Sequence, residues 1–470
     1  MSGFNSLAAV GPAHELLHTE FSPFEHQEHR GISNFHHDED EIAASTVGTF
    51  GAESVFRIPR GEQAIWRTHL RLKISSIENA TYTDPLDSNV DPCLVPYFGY
   101  QCIDNVEIRH AGRKIYSFTG FDEFLRHQMT KDNDDAVAAD QAVGGGLTAR
   151  DRVHRSKRPQ EFRIKLQHLF WNTPHQLLPA RDLAHDLTLV VRWKPMRQLI
   201  QNPGGQANLS IKLEEQALSY TVVFLPNEIY SRISAKNNSA TGLVYLAKEP
   251  VQENAIKFAD PGDVTNAQTS YKLESLTGAA DCIVLTCHRA QDIDGAFDRL
   301  TTTAAVGNNY VYDETNLRPV TAITLKTGQS DVRRRQTDLQ IQAHENPTFV
   351  DGQFGTNLYI THFSLASGSP DNYGSRQLDA FSNLRYVVEW EKEPGNGKQS
   401  NMPTATVGSA GTPDPVLVDQ DITGDPYATT ADALGSVVEQ QTAGCYLRAT
   451  AMMNRHVIIQ GGLMRPLLTA

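Results

Sequence analysis

The stretch AIWRTHLRLKI (64–74) alternates apolar and polar residues for most of its length. A period of two suits a strand with one buried face; a helix repeats its apolar positions every three or four residues. The same texture returns in ESVFRIPRG, FRIKLQHLFW, LTLVVRWKP and LSIKLEEQALSYTVVFL. In YQCIDNVEIRHAGRKIYSF it surrounds HAGRK, which reads as a hairpin turn. The second half repeats it in DCIVLTCHRA, VTAITLKTG, TNLYITHFSLA, LRYVVEWEKE and HVIIQGGLMRPLL. Helical patterns are few and short. Two sequential antiparallel sandwiches fit this order better than alternating strands and helices.

The chain has 470 residues, more than the roughly 250–300 at which a single core stops growing. Residues 1–47, rich in His and acids, read as an arm. Residues 48–234 and 235–470 read as the two sandwiches, divided at the short helix and linker NEIYSRISAKNNSATG. Long surface loops are expected at 122–160, 288–318 and 391–432, the first opening with a short helix from Asp122 to about Lys131. Trp66, Phe170, Trp171, Trp193 and Trp390 lie in or beside strand runs and are assigned to the cores.

The formal net charge is −13, which argues against a protein that grips phosphate backbones over a broad surface. The five cysteines, Cys93, Cys102, Cys282, Cys287 and Cys445, are odd in number and form no CxxC pair. Buried reduced thiols in a reducing compartment are expected, with Cys282 and Cys287 on opposite faces of one strand. No stretch reaches the roughly 18–20 apolar residues of a membrane span. The N-terminus shows no signal-peptide pattern, so the chain is expected to stay where it is made.

Several segments carry residue types that could form a site. HHDEDE (His36–Glu41) offers nitrogen and oxygen ligands, but adjacent residues of an extended chain point opposite ways and no HxH or HExxH spacing is present. It reads as a hydrated lead-in to the first strand. QAVGGGLTAR (141–150) lacks the GxxxxGK[ST] of a phosphate loop and reads as a flexible loop. DVRRRQ, with Arg333, Arg334 and Arg335, reads as a solvated loop able to dock an acidic neighbour. The sequons at Asn79 and Asn208 read as chance matches. No GxSxG is present. No catalytic residue, cofactor-binding residue or metal ligand is assigned, and no enzyme activity is expected.

The order of segments resembles the double jelly-roll major capsid proteins of large icosahedral DNA viruses, of the iridovirus and phycodnavirus type. HRGISNF (29–35) is followed by GTFGAESVFRIPRGEQAIWRTHLRLKI (48–74), with Gly61-Glu62 where the family pattern has Gly-Asp. YQCIDNVEIRHAGRKI (100–115) resembles the family's paired strands through Ile103, Asp104, Val106, Glu107, Ile108 and Gly112. IKLQHLFWNTPHQLLPARDLAHDLTLVVRW (164–193) follows a further block at Phe170, Pro174, Leu178, Pro179, Ala180, Leu183 and His185. NYGSRQLDAFSNLRYVV (372–388) is similar to a second-half signature at Gly374, Ser375, Phe381, Ser382 and Asn383.

The resemblance implies an all-β fold of two consecutive eight-stranded antiparallel jelly rolls with short helices and long surface loops. It implies a structural virion protein that assembles as pseudo-hexameric homotrimers into an icosahedral shell. Implied partners are other copies of the chain in the trimer and in neighbouring capsomers, minor capsid proteins, and an inner viral membrane that the arm would contact. No direct nucleic-acid contact and no cofactor are implied. The location would be the virion, and the host cytoplasm during assembly. The rival readings are a minor capsid or penton-associated paralogue, and a metal-dependent or sugar-binding jelly roll.

Overall fold

A computed structural model of the chain describes residues 36–61, 64–86, 91–130, 136–172, 176–202, 206, 208–258, 268–289, 320–349, 358–367, 373–390 and 445–467. The arm up to residue 35, the loop residues 290–319 and 391–444, and the motif HRGISNF lie outside the described residues.

The first half folds into eight principal strands: β1 (His36–Ala43), β2 (Glu53–Ile58), β3 (Ala64–Ile74), β4 (Ile103–His110), β5 (Arg113–Phe118), β6 (Gln160–Lys165), β7 (Leu187–Trp193) and β8 (Leu213–Phe224). They form two four-stranded antiparallel sheets, ordered β1-β8-β3-β6 and β2-β7-β4-β5. The alternation in β3 does what the sequence predicted. Leu70, Leu72 and Ile74 are buried, and Leu70 stands between Leu218 of β8 and Ile164 of β6. The facing sheet supplies Phe56, Leu189, Ile108 and Tyr116 in one cross-strand row. Each such row removes several large apolar side chains from water, at about 1.5–3 kcal/mol per side chain.

The second half repeats the plan with β9 (Leu243–Gln252), β10 (Gln268–Lys272), β11 (Ala279–Arg289), β12 (Val320–Thr327), β13 (Ser330–Thr337), β14 (Leu358–His362), β15 (Leu384–Trp390) and β16 (Cys445–Gln460). Its sheets run β9-β16-β11-β14 and β10-β15-β12-β13. Adding eight to every strand number of the first sandwich gives the second. This interleaved order, the same twice, is the jelly roll, and it agrees with the predicted fold class. Short strands extend the β16 sheet, among them Leu463–Leu467, which pairs with the end of β16.

Several segments differ from the sequence reading. His36–Glu41 is not a lead-in: it is most of β1, an edge strand paired with β8 from His36↔Phe224 to Ala43↔Ala217. The first jelly roll therefore starts inside the stretch read as arm. The dividing point at 234/235 falls within α4 (Asn227–Asn237), a helix between the two rolls; its labelled predecessors are α1 (Gly120–Thr130), α2 (Ala136–Ala142) and α3 (Ala149–Ser156). α1 is buried at almost every position, so this opening part of the 122–160 region is packed down and is not a surface loop. α3 is capped by Thr148, whose hydroxyl accepts from the Asp151 N–H at 3.2 Å. The His127 imidazole, 2.8 Å from Asp140, ties α1 to α2.

The glycine triplet is part of that packing and not a flexible loop. Gly144 and Gly145 are buried, and a Cβ on Gly145 would lie 2.2 Å from the Tyr97 ring. Only a residue without a side chain permits that approach. Gly145→Ala is expected to destabilise the protein by about 1–3 kcal/mol through overpacking, measured as a lower urea midpoint; an unchanged midpoint would show that Tyr97 moves aside freely.

Phe170, Trp171 and Trp193 are buried as predicted. Trp66 is not a core residue: it is half-buried, with the Arg67 guanidinium 4.1 Å from its ring centre. The cause is a β-bulge. Arg67 has φ +47°, and the β3–β8 register slips between His69↔Ser219 and Trp66↔Thr221. One extra residue reverses the phase of alternation, so Trp66 leaves the face that Thr68, Leu70 and Leu72 share. The side chain of Trp390 lies outside the described residues.

Candidate functional site

For a chain with this architecture the surfaces that matter are the seam between the rolls and the faces left open around it. The seam is built from the β9-β16-β11-β14 sheet, which is apolar on both sides. Ile283, Leu285 and Cys287 enter the second roll's own core, whereas Cys282 and Val284 join the hydrophobic cluster of the first roll. Leu358, Ile360 and Met452 do the same as Cys282. The two thiols thus lie on opposite faces, as their spacing predicted. Cys93, Cys102, Cys282 and Cys287 are all buried thiols, and burial pushes Cys282 up to about 12. The side chain of Cys445 lies outside the described residues.

Against this sheet the first roll presents strand β5, helix α1 and the turn Phe170–Asn172, the last two following β5 and β6. The Phe170 ring lies 4.8 Å from that of Tyr245 on β9. Among these apolar contacts sits a buried polar cluster. Lys248 of β9 forms an ion pair with Asp281 of β11, and the Asn454 amide also donates to Asp281. The buried Arg126 of α1 favours the ionised form of Asp281, and Glu123 of α1 accepts from the backbone N–H groups of Gln167 (2.9 Å) and His168 (3.1 Å). Burial pulls Asp281 and Glu123 up and Lys248 and Arg126 down, against the attraction of their opposite charges. Two cations and two anions close together leave the cluster formally neutral. The His168 ring, 2.8 Å from the Lys248 carbonyl, and Gln252, donating to the Asp122 carboxylate at 2.8 Å, add further links across the seam.

A second tie uses the PARDLAH segment (179–185). Tyr230 of α4 donates to the Asp182 carboxylate at 2.6 Å, and Asn237 donates to the Asp182 carbonyl at 3.3 Å. The C-terminal turn returns to the same place: the Ala184 N–H donates to the Gly462 carbonyl at 2.8 Å, and the Met464 N–H donates to His110 Nδ1 at 3.2 Å. Ala184 and Gly462, 278 positions apart in sequence, are thereby fixed side by side. Nothing local in the sequence signals either tie.

The outer face of the β1-β8-β3-β6 sheet is different in kind. It is charged and open. Arg71 bonds Glu41 at 2.7 Å and Glu215 at 2.8 Å, with Glu161 at 3.3 Å. Glu39 and Glu41 line the β1 edge, and Arg163 and Lys165 the β6 edge. A groove of about 670 Å³ runs between this face and the α1–α2 region, lined by Glu39, His69, Arg71, Tyr100, Arg163 and Lys165 among others. Burial pulls His69 and Lys165 down; Arg67 lowers Lys165 further.

Arg333, Arg334 and Arg335 do not form a solvated loop. They lie on β13, an edge strand. Arg335 pairs with Glu389 through contacts of 2.7–3.0 Å, and Arg333 donates to the His362 carbonyl. Asn79 and Asn208, the two sequon residues, meet each other, with the Asn79 amide donating to the Asn208 carbonyl at 2.9 Å. Among the described residues no three His, Cys, Asp or Glu side chains converge as a metal site would require. His36 instead stacks on Phe224, ring centres 4.4 Å apart. No helix among the described residues is long and apolar enough to cross a membrane.

Residues 23–217 match the family model described as major capsid protein N-terminus. No curated protein matches the sequence. Among solved structures the chain is similar to VP54 of PBCV-1, with 15% identity and a TM-score of 0.66, covering 96% of this chain and 100% of that one. The Faustovirus major capsid protein follows with 8% identity and a TM-score of 0.61, covering 98% and 97%. A quasi-atomic model of the PBCV-1 capsid gives 14% and 0.64 over 96% and 100%. At such identities the structural likeness speaks for the fold and the family model for the first half. Together with the twice-repeated strand order they show a double jelly-roll fold, whose residues 23–217 are similar to the N-terminal part of major capsid proteins.

Proposed function

We propose that the chain is the major building block of an icosahedral shell, associating as homotrimers of pseudo-hexagonal outline that pack against neighbouring copies and minor capsid proteins. The observation that carries this is the duplicated sheet order joined by a buried seam. Two like rolls held rigidly side by side make each chain two-sixths of a ring, and three chains close it. Closed rings need heterologous surfaces that fit head to tail, and the edge strands β1 and β13 of the two rolls differ in charge. The virion is the corresponding location, with assembly in the host cytoplasm. The mechanism is association, so it requires no catalytic group.

Electron microscopy of the purified full-length protein tests the proposal. Hexagonal particles with three-fold symmetry, alone or in sheets, are the expected result. A protein that stays dispersed as single chains at high concentration would overturn it.

A further inference from the structure

The seam inside the chain indicates where a second chain docks. Within one chain, the first roll offers β5, the helix after it, and the turn after β6. The second roll receives them on the outer face of β9-β16-β11-β14, with β5 lying against β9. Because the strand order repeats at an interval of eight, every one of these parts has a counterpart. The counterpart of the receiving sheet is β1-β8-β3-β6, whose outer face is open. The counterparts of the offered parts are β13, the helical segment Asp338–Phe349 and the loop after β14.

Those offered parts carry unburied apolar groups. Leu339 is 68% exposed, Leu365 77% and Tyr373 51%. Leu339 is the second residue of its helical segment, as Phe121 is of α1. Phe121 is buried in the seam, with the Arg448 guanidinium 5.1 Å from its ring centre. The Phe170–Asn172 turn after β6, likewise buried in the seam, has its counterpart in the loop that exposes Leu365. Leu339 and Leu365 thus stand in water where the first roll's equivalents are covered.

The charges agree. The counterpart of the β5–β9 contact is β13 against β1. β1 presents His36, His37, Asp38, Glu39, Asp40 and Glu41, all exposed, and β13 presents Arg334 and Arg335. We propose that the charged outer face of β1-β8-β3-β6 is the docking surface for β13, the helical segment Asp338–Phe349 and the Leu365 loop of a second copy of this chain. The inference rests on the trimer reading and adds the surfaces. It also predicts a difference in kind between the two contacts. The seam within a chain is apolar with a neutral buried cluster, whereas the contact between chains is ionic at β1. The latter should weaken with salt, since the Debye length falls from about 10 Å at 0.1 M to about 3 Å at 1 M.

The test uses the full-length chain with Glu39→Lys, Arg334→Glu and the double variant, with melting curves to show that each is folded. Oligomer fraction is followed by analytical ultracentrifugation against concentration and NaCl. Each single variant is expected to associate about tenfold more weakly, and the double variant to recover most of the loss. Leu365→Glu, which leaves β1 and β13 intact, is expected to weaken association without rescue by either charge change. If wild type forms trimers and all variants do so equally, the docking surface is wrong and the trimer reading stands. If wild type is monomeric at every concentration and salt, the trimer reading fails and the surface with it.

Discussion

Asp281→Ala is expected to destabilise the protein by about 3–5 kcal/mol, the cost of leaving buried charges without their partner. Asp281 is fully buried, holds Lys248 and Asn454 directly, and offsets Arg126. Removing its carboxylate leaves Lys248 without its ion-pair partner and two buried cations facing one anion, Glu123. Replacing Lys248 and Asp281 together by Met and Leu removes both charges of the pair. That double change should cost far less than the single one, because buried pairs exchanged for well-packed apolar groups are often close to neutral. Urea unfolding followed by tryptophan fluorescence gives both values. Equal losses in the single and double variants would show that the pair is not a unit. The seam is also where the rolls are held in register, so the single variant should separate one unfolding transition into two before it abolishes either core.

Acid should act through His362. Burial, with a smaller contribution from Arg333, pulls this imidazole from its ordinary 6.5 down to about 3. Between those two values the unfolded chain binds a proton that the folded chain refuses, so stability falls as pH falls. The slope is about 1.4 kcal/mol per pH unit, beginning below 6.5 and ending near 3. From pH 6.5 to 4.5 this one group should remove about 2 kcal/mol. His110 and His69 are pulled in the same direction by burial. Glu123 and Asp281, pulled up by burial, work with the opposite sign and become less costly as pH falls. Comparing wild type with His362→Gln isolates the histidine: their stability difference should narrow or reverse as the pH is lowered. Parallel curves over pH 4.5–7 would show that His362 takes up its proton without cost.

Much of the fold was legible because its signals are local. Leu70, Leu72 and Ile74 announce a half-buried strand to anyone who counts by twos, and HAGRK announces a hairpin. The structure closes that hairpin with Ala111 and Gly112 at positive φ. Errors arose where a single residue changes the phase or where a distant ring decides the packing. Trp66 was placed in the core because alternation was carried straight through Arg67, and a bulge costs one residue without leaving a composition signal. Gly144 and Gly145 were read as freedom because three glycines in a row usually add it, whereas Tyr97, over forty positions earlier, closes around them. The acids of β1 hid a strand because an edge strand exposed on both faces shows no apolar face to count.

The candidate surfaces were less legible than the strands. Lys248, Asp281, Glu123 and Arg126 had no spacing that marked them, since they come from β9, β11 and α1 and meet only when two finished sandwiches dock. Asp182 was quoted as part of a motif block, yet its bonds to Tyr230 and Asn237 could not be read there. The sequence by itself determined the alternation, the turns, the duplication and hence the fold class, because those are properties of neighbouring residues. The tertiary structure alone decided which sheet face is buried twice, which charges are sealed in the seam, and which face is left open, because those depend on how one completed roll sits against another.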